Sequence, residues 1–275
     1  MTKRERVLGS LIGYAIGDAM GATTEFMAVP EIREKYGVVS EIRGGGWLNL
    51  KPGQVTDDTQ MSLVVYRAMR DTEGHPERTL TEICRGFRAW ADSNPPDIGG
   101  ACRRAIYGTK SLDPKQWVRA NVRRQKAEAY HDLGNGGLMR CLVPCLKGDF
   151  KLALAQSNLT HSNGVHKAYI FIYYTLLQRA LRGVKVSSEV WKGYPSGHVK
   201  DTFRNCEWWF ITSGNFEDAI LGAVNDGGDS DTIAALTGGL AGAFYGVDAI
   251  PKRWIEALDK EVLAELEECA EWLTK

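Results

Sequence analysis

The chain has 275 residues, 44% apolar and 25% charged, the balance of an ordinary globular protein long enough to bury a large core. Its 34 basic and 34 acidic side chains cancel, which excludes a global field that draws it to nucleic acid or an anionic membrane. No apolar run is long enough to span a bilayer, and six cysteines without a C-x-x-C pair predict reduced thiols in the cytoplasm, not disulfides or a zinc site.

The first element opens with Lys3, Arg4 and Arg6 ahead of an apolar stretch from Val7 to Ile16, the outline of a secretory signal. Glu5 interrupts the basic part, Gly9 and Gly13 interrupt the apolar part, and Asp18 stands where a cleavage region is uncharged. The segment therefore reads as a core helix. Within it Gly9, Gly13, Gly17 and Gly21 recur every fourth residue, and Ala234, Gly238, Gly242 and Gly246 repeat the stripe near the other end. Each interior glycine costs a helix roughly 1 kcal/mol relative to alanine. A fourfold stripe needs a compensating gain, and close approach of two helix backbones along i±4 ridges supplies one.

Val38 to Ile42 offers a short strand without an evident partner. After Asp58, the residues Met61, Val64, Val65, Ala68 and Met69 fall on one helix face. Helical patterns follow at 79–91, 115–130, 165–182, 199–210, 215–224, 231–245 and 255–273, with no Pro/Ser-rich linker between them. The reading is an all-α, many-helix single domain over residues 1–275.

Two acidic clusters carry the strongest chemical signal. One is Gly53-Gln54-Val55-Thr56-Asp57-Asp58-Thr59-Gln60; the other is Asn225-Asp226-Gly227-Gly228-Asp229-Ser230-Asp231-Thr232. Each follows glycine and opens a helix. Asp and Thr are good N-caps, carboxylates suit the positive end of a helix dipole, and Asp57 with Gln60 resembles a capping pair. Capping, however, needs one side chain, and each cluster packs two carboxylates and hydroxyls into one turn. Such like charges repel unless a cation lies between them. Oxygen ligands suit hard cations such as Mg²⁺, Mn²⁺ or Ca²⁺, and four carboxylates from two helix starts suffice for a two-metal centre. None of His75, His131, His161, His166 and His198 pairs at i, i+4 on one helix, which speaks against zinc.

At these residues the sequence resembles the ADP-ribosylglycohydrolase family. The resemblance spans nearly the whole chain. It includes Gly13-x-x-x-Gly17-Asp18-Ala19-Met20-Gly21 with Glu25, Thr56-Asp57-Asp58-Thr59, Gly134-Asn135-Gly136-Gly137-x-Met139-Arg140, and Gly228-Asp229-Ser230-Asp231-Thr232. It implies an all-α fold with a binuclear Mg²⁺ or Mn²⁺ site at helix N-termini, held by Thr56, Asp57, Asp58, Asp229, Asp231 and Thr232. The implied reaction is water attack at the anomeric carbon, which frees ADP-ribose from a modified protein side chain. Arginine is the expected acceptor; serine-linked ADP-ribose, O-acetyl-ADP-ribose and a non-catalytic binding or structural role are the alternatives. Glu25 lies on a flap beside the metals in the family, as ligand or base; read alone, it is a solvated loop acid.

Asp58, Glu25 and Asp97 form the expected catalytic set, and Gly134, Asn135, Gly136, Gly137, Met139, His161 and His198 the expected ADP-ribose site. The glycines free backbone amides to gather round an anion. Thr160-His161 matches a family pair near the nucleotide. Gly197-His198-Val199 stands where the family often has Gly-Tyr-Val, so His198 takes the place of an adenine-stacking tyrosine. Asp97-Ile98-Gly99-Gly100-Ala101-Cys102 lacks the Asn and Thr usual after its Asp-Ile-Gly. On local grounds Asp97 caps a helix that runs toward Ile106; the resemblance places it beside the scissile bond of arginine-specific members.

Overall fold

The computed structural model describes residues 1–73, 75–127, 133–185 and 189–275. The helices, in order, are α1 (Lys3–Gly21), α2 (Val29–Tyr36), α3 (Asp57–Asp71), α4 (Pro76–Asp92), α5 (Gly100–Ile106), α6 (Pro114–Ala127), α7 (Leu142–Lys147), α8 (Phe150–Asn158), α9 (Gly164–Ala180), α10 (Val199–Thr212), α11 (Phe216–Asn225), α12 (Ser230–Tyr245), α13 (Lys252–Ala257) and α14 (Lys260–Thr274). Short 3₁₀ turns at Asn135–Gly137 and Val247–Ala249 complete the set. The all-α expectation holds. The 128–130 end of the 115–130 pattern lies outside the described residues.

The expected strand at Val38–Ile42 does not form. Val39 N instead donates to Asn225 Oδ1 at 2.8 Å, and Asn225 Nδ2 donates to Val39 O at 2.9 Å. One side-chain amide at the end of α11 thus satisfies the backbone groups that a neighbouring strand would have paired. The 255–273 pattern is divided because Asp259 caps a new helix, accepting from Glu261 N at 2.9 Å and Val262 N at 3.2 Å.

The two striped helices explain each other. A Cβ built at Gly9, Gly13, Gly17 or Gly21 would fall 2.6, 2.5, 2.1 or 2.4 Å from the backbone oxygens of Gly242, Gly238, Ala234 and Ser230 respectively. Partner numbers fall as those on α1 rise, so α1 and α12 run antiparallel with their backbones in contact. Both helices are buried over almost their whole length. Ser10 Oγ donates to Gly239 O across the seam at 2.7 Å. Arg6 donates to the last carbonyls of α12, Ala243 O at 3.0 Å and Phe244 O at 2.6 Å, where the helix dipole favours a cation. Gly246, the last member of the stripe, is the left-handed residue (φ 82°) that ends α12. This seam fixes the C-terminal end of α1, which carries Asp18 and is followed by Glu25, against the N-terminal end of α12.

Candidate active site

Asp18 is buried in the seam and points at the start of α3. Its carboxylate accepts from Thr56 N at 3.0 Å, Thr56 Oγ1 at 2.8 Å and Thr59 N at 3.0 Å. Thr56 N and Thr59 N are backbone donors that the start of α3 leaves without intrahelical partners. Thr56 is the N-cap residue, its Oγ1 accepting from Asp58 N at 3.4 Å. The Asp57–Gln60 capping pair is not made, because Gln60 donates to Val55 O and accepts from Trp90 Nε1. With Asp18 and Thr56 capping α3, neither Asp57 nor Asp58 is needed as a cap.

At the start of α12 the N-cap carboxylate is likewise not used as a cap. Asp229 occupies the N-cap position without a side-chain cap bond and accepts instead from Asn135 Nδ2. Thr232 donates its backbone N–H to Asp231 Oδ1 at 2.8 Å and its hydroxyl to Asp58 Oδ2 at 3.2 Å, which joins the two clusters. Glu25 completes the arrangement: single carboxylate oxygens of Glu25, Asp229 and Asp231 all lie within 4.8 Å of one another. Its loop is pinned to the second cluster, since Phe26 N donates to Gly228 O at 2.6 Å and Gly228 N to Met27 O at 3.0 Å. Glu25 is buried, so it is not a solvated loop acid.

Burial sets the electrostatics of the site. It raises Asp57 to about 8, with Asp97 and Asp18 adding repulsion. It raises Glu25 to about 8 against the pull of the Trp47 hydrogen bond, with Asp229 and Asp97 adding to the rise. Asp229 rises to about 6 for the same first reason, moderated by Asn135 and Thr232. Asp58 and Asp231 are pushed well up by burial and then by neighbouring carboxylates. The leading influences on these five are burial and neighbouring carboxylates, not cations. Crowded, buried, oxygen-only donors of this kind fit a hard divalent cation.

A cavity of about 370 Å³ opens over the carboxylates, lined also by Asp97, Gly134, Asn135, Gly136, Met139 and His161. Asp97 does not cap α5, whose N-cap is Gly99; its carboxyl faces the cavity and is raised by burial. Thr56 and Gly137 support the site from behind and do not line it. The 134–137 glycines have a steric reason besides amide freedom. A Cβ at Gly136 would sit 2.8 Å from Cys102 Sγ and 2.9 Å from His161 Cε1, and one at Gly137 would sit 2.1 Å from Ser157 Oγ. Arg140, fully buried, holds this loop by donating to Gly136 O, to Gln156 Oε1 at 2.7 Å and to Thr160 Oγ1 at 2.7 Å. Thr160 Oγ1 in turn lies 2.7 Å from His161 Nδ1, and burial drives the His161 pKa well down, so its imidazole is neutral. His198 is half-buried outside the cavity lining; it caps α10, its Nδ1 accepting from Lys200 N at 3.2 Å.

Sequence reasoning missed Asp18 as a positioning residue and Trp47 as the donor to Glu25. A carboxylate inside a glycine stripe and a triple glycine before tryptophan were the available signals.

The model for the family described as ADP-ribosylglycohydrolase matches residues 1–193 and 173–275. The chain belongs to the ADP-ribosylglycohydrolase family. It is 35% identical to the ADP-ribosyl-[dinitrogen reductase] glycohydrolase of Rhodospirillum rubrum, across 95% of this chain and 93% of that protein. It is 31% identical to the ADP-ribosylarginine hydrolase Tri1 of Pseudomonas putida (strain GB-1), across 92% and 74%. A solved ADP-ribosylglycohydrolase-related protein complex superposes with a TM-score of 0.77 at 29% identity, over 98% of this chain and 97% of that one. This ADP-ribosylglycohydrolase is therefore an enzyme, and its relatives support action on ADP-ribosylated protein. No helix among its described residues is long and apolar enough to cross a membrane.

Proposed function

We propose that residues 1–275 form one catalytic domain that hydrolyses the bond between ADP-ribose and an arginine side chain of a cytoplasmic target protein. On this reading two Mg²⁺ or Mn²⁺ ions are held jointly by Asp57 and Asp58 on one side, with Thr56 behind them as the residue that sets the start of α3, and by Asp229, Asp231, Thr232 and Glu25 on the other. The observation that carries it is that Asp18 and Thr56 cap α3 and that Asp229 makes no cap bond at α12, which leaves Asp57, Asp58 and Asp229 crowded with Glu25 and Asp231 at the floor of a cavity. When bound, such ions would polarise a water and the ribose oxygens beside the anomeric carbon.

The chain's own residues supply the rest. The cavity wall formed by Asn135, Gly136, Met139 and His161 receives the ADP-ribose, with Gly134 and Gly137 shaping its loop and His198 toward the adenine end. Asp97 binds the arginine guanidinium in a fork, which a serine linkage cannot offer. As the glycosidic C–N bond breaks and the water oxygen bonds to the anomeric carbon, the same carboxylate relays the proton that the water loses to the departing nitrogen. The products are the unmodified protein and free ADP-ribose, and no nucleic acid takes part. The names of the Rhodospirillum rubrum and Pseudomonas putida relatives support protein-linked and arginine-linked substrates. The test is a panel of proteins modified on arginine or on serine, scored by released ADP-ribose. Wild type should prefer arginine, and Asp97→Ala should lose that turnover while it binds free ADP-ribose normally. Preference for serine, or undiminished arginine turnover in Asp97→Ala, refutes the assignment.

A further inference from the structure

Glu25 is buried among acidic groups, and the side chain that donates to it is Trp47, whose Nε1 lies 2.5 Å from Glu25 Oε2. An indole N–H can only donate, so the bond fixes the orientation of a carboxylate that has an oxygen within 4.8 Å of carboxylate oxygens of Asp229 and Asp231. Trp47 is itself 53% exposed, an unusual place for the partner of a buried carboxylate.

The loop that carries Trp47 is built to hold it there. Gly45 and Leu50 exchange backbone hydrogen bonds of 2.8 and 2.9 Å. Gly44, Gly45, Gly46 and Asn49 all have left-handed φ angles, from 53° to 83°. A Cβ on Gly46 would lie 2.0 Å from Ala22 O, so no larger residue lets the loop rest on the end of α1. Thr23 Oγ1 donates to Gly44 O at 3.1 Å and ties the loop to the segment from which Glu25 departs. Phe26 closes the arrangement, its ring centroid 5.4 Å from that of Trp47. Its own left-handed backbone (φ 61°) is pinned to Gly228, the residue before Asp229.

We infer that Trp47 is a positioning residue, whose indole N–H sets the orientation of Glu25 and through it the cation affinity of the Glu25–Asp229–Asp231 group. The inference rests on the proposal that these carboxylates hold a divalent cation. Partners that orient metal ligands typically contribute about 10- to 100-fold in metal affinity. Trp47→Phe keeps an aromatic ring against Phe26 at a half-exposed position and removes only the donor.

The experiment measures Mn²⁺ binding to wild type, Trp47→Phe, Glu25→Gln and the double variant, with thermal midpoints recorded beside it. Trp47→Phe should weaken Mn²⁺ binding about 10-fold or more at an unchanged midpoint. In the Glu25→Gln background the same substitution should change binding by less than about twofold, because Trp47 acts through Glu25. Undiminished Mn²⁺ binding in Trp47→Phe overturns the inference, as does an equal loss in both backgrounds. Wild type that binds no Mn²⁺ refutes the underlying metal proposal, an outcome distinct from either.

Discussion

Gly17 is the α1 glycine that lies closest to α12, and replacing it tests whether the seam sets the site. A Cβ there would fall 2.1 Å from Ala234 O, against a floor of 3.0 Å that real Cβ contacts almost never cross. Both contact atoms belong to buried helices, so Gly17→Ala must part the backbones by roughly 0.9 Å to relieve the clash. Overpacking of this size costs about 1–3 kcal/mol, offset by the ~1 kcal/mol that alanine gains over glycine in a helix. At about 2–4 °C per kcal/mol, the melting midpoint should fall by no more than about 8 °C. The site is far less tolerant. Asp18, next in sequence, fixes the start of α3, while Ala234 follows the start of α12, so the two carboxylate clusters separate by a similar distance. A displacement near 1 Å in a reacting constellation can cost about 100-fold in rate. Released ADP-ribose from an arginine-modified protein is the assay, with Gly164→Ala as control because a Cβ there meets nothing within 4 Å. Folded Gly17→Ala protein with turnover within twofold of wild type would refute the argument that the seam sets the site.

Three further outcomes follow from the same geometry. Asp18→Asn should cost about 1–3 kcal/mol, because its amide nitrogen faces buried N–H donors of Thr56 and Thr59, and should weaken Mn²⁺ binding; an unchanged thermal midpoint contradicts this. Glu25 and Asp57 titrate at about 8 and Asp229 at about 6, so protons compete with a cation there. Mn²⁺ affinity should fall as pH drops from 8 to 6, with proton release visible by calorimetry in buffers of different ionisation enthalpy. The sign reverses for the metal-free protein: raised carboxyl pKa values stabilise it at low pH, and it should lose stability as pH rises through about 8. A pH-independent affinity would contradict both statements. Finally, His198→Ala should loosen ADP-ribose binding and His198→Tyr preserve it, with His198→Asn separating loss of the α10 cap from loss of the ring; unchanged affinity in all three places His198 away from the adenine.

Much of the architecture was legible because it is periodic. The glycine stripes announce a backbone contact, since only that contact offsets four helix-weakening residues. The acidic clusters announce helix starts, and α3 and α12 begin where Asp57 and Ser230 stand. What stayed hidden depends on partners distant in sequence. Whether Asp57 caps a helix or faces a cavity turns on Asp18, 38 residues before Thr56, which takes the capping role. Asp97 reads locally as a cap for the same reason, yet the N-cap of α5 falls two residues later, at Gly99. Val38–Ile42 has strand composition, and the amide of Asn225 forecloses pairing there. Trp47 carries no local signal beyond its glycines, because its one polar contact reaches back to Glu25.

On the proposed function, the two carboxylate clusters at the starts of α3 and α12 jointly hold the divalent cations that hydrolysis requires. The most direct measurement strips the protein with a chelator, returns Mn²⁺ stepwise, and follows bound metal and released ADP-ribose together in wild type and Asp229→Asn. Activity should vanish on chelation and return in step with bound Mn²⁺, and Asp229→Asn should shift both curves to higher concentration while helix content stays intact. Full turnover by chelated, metal-free protein would contradict the claim.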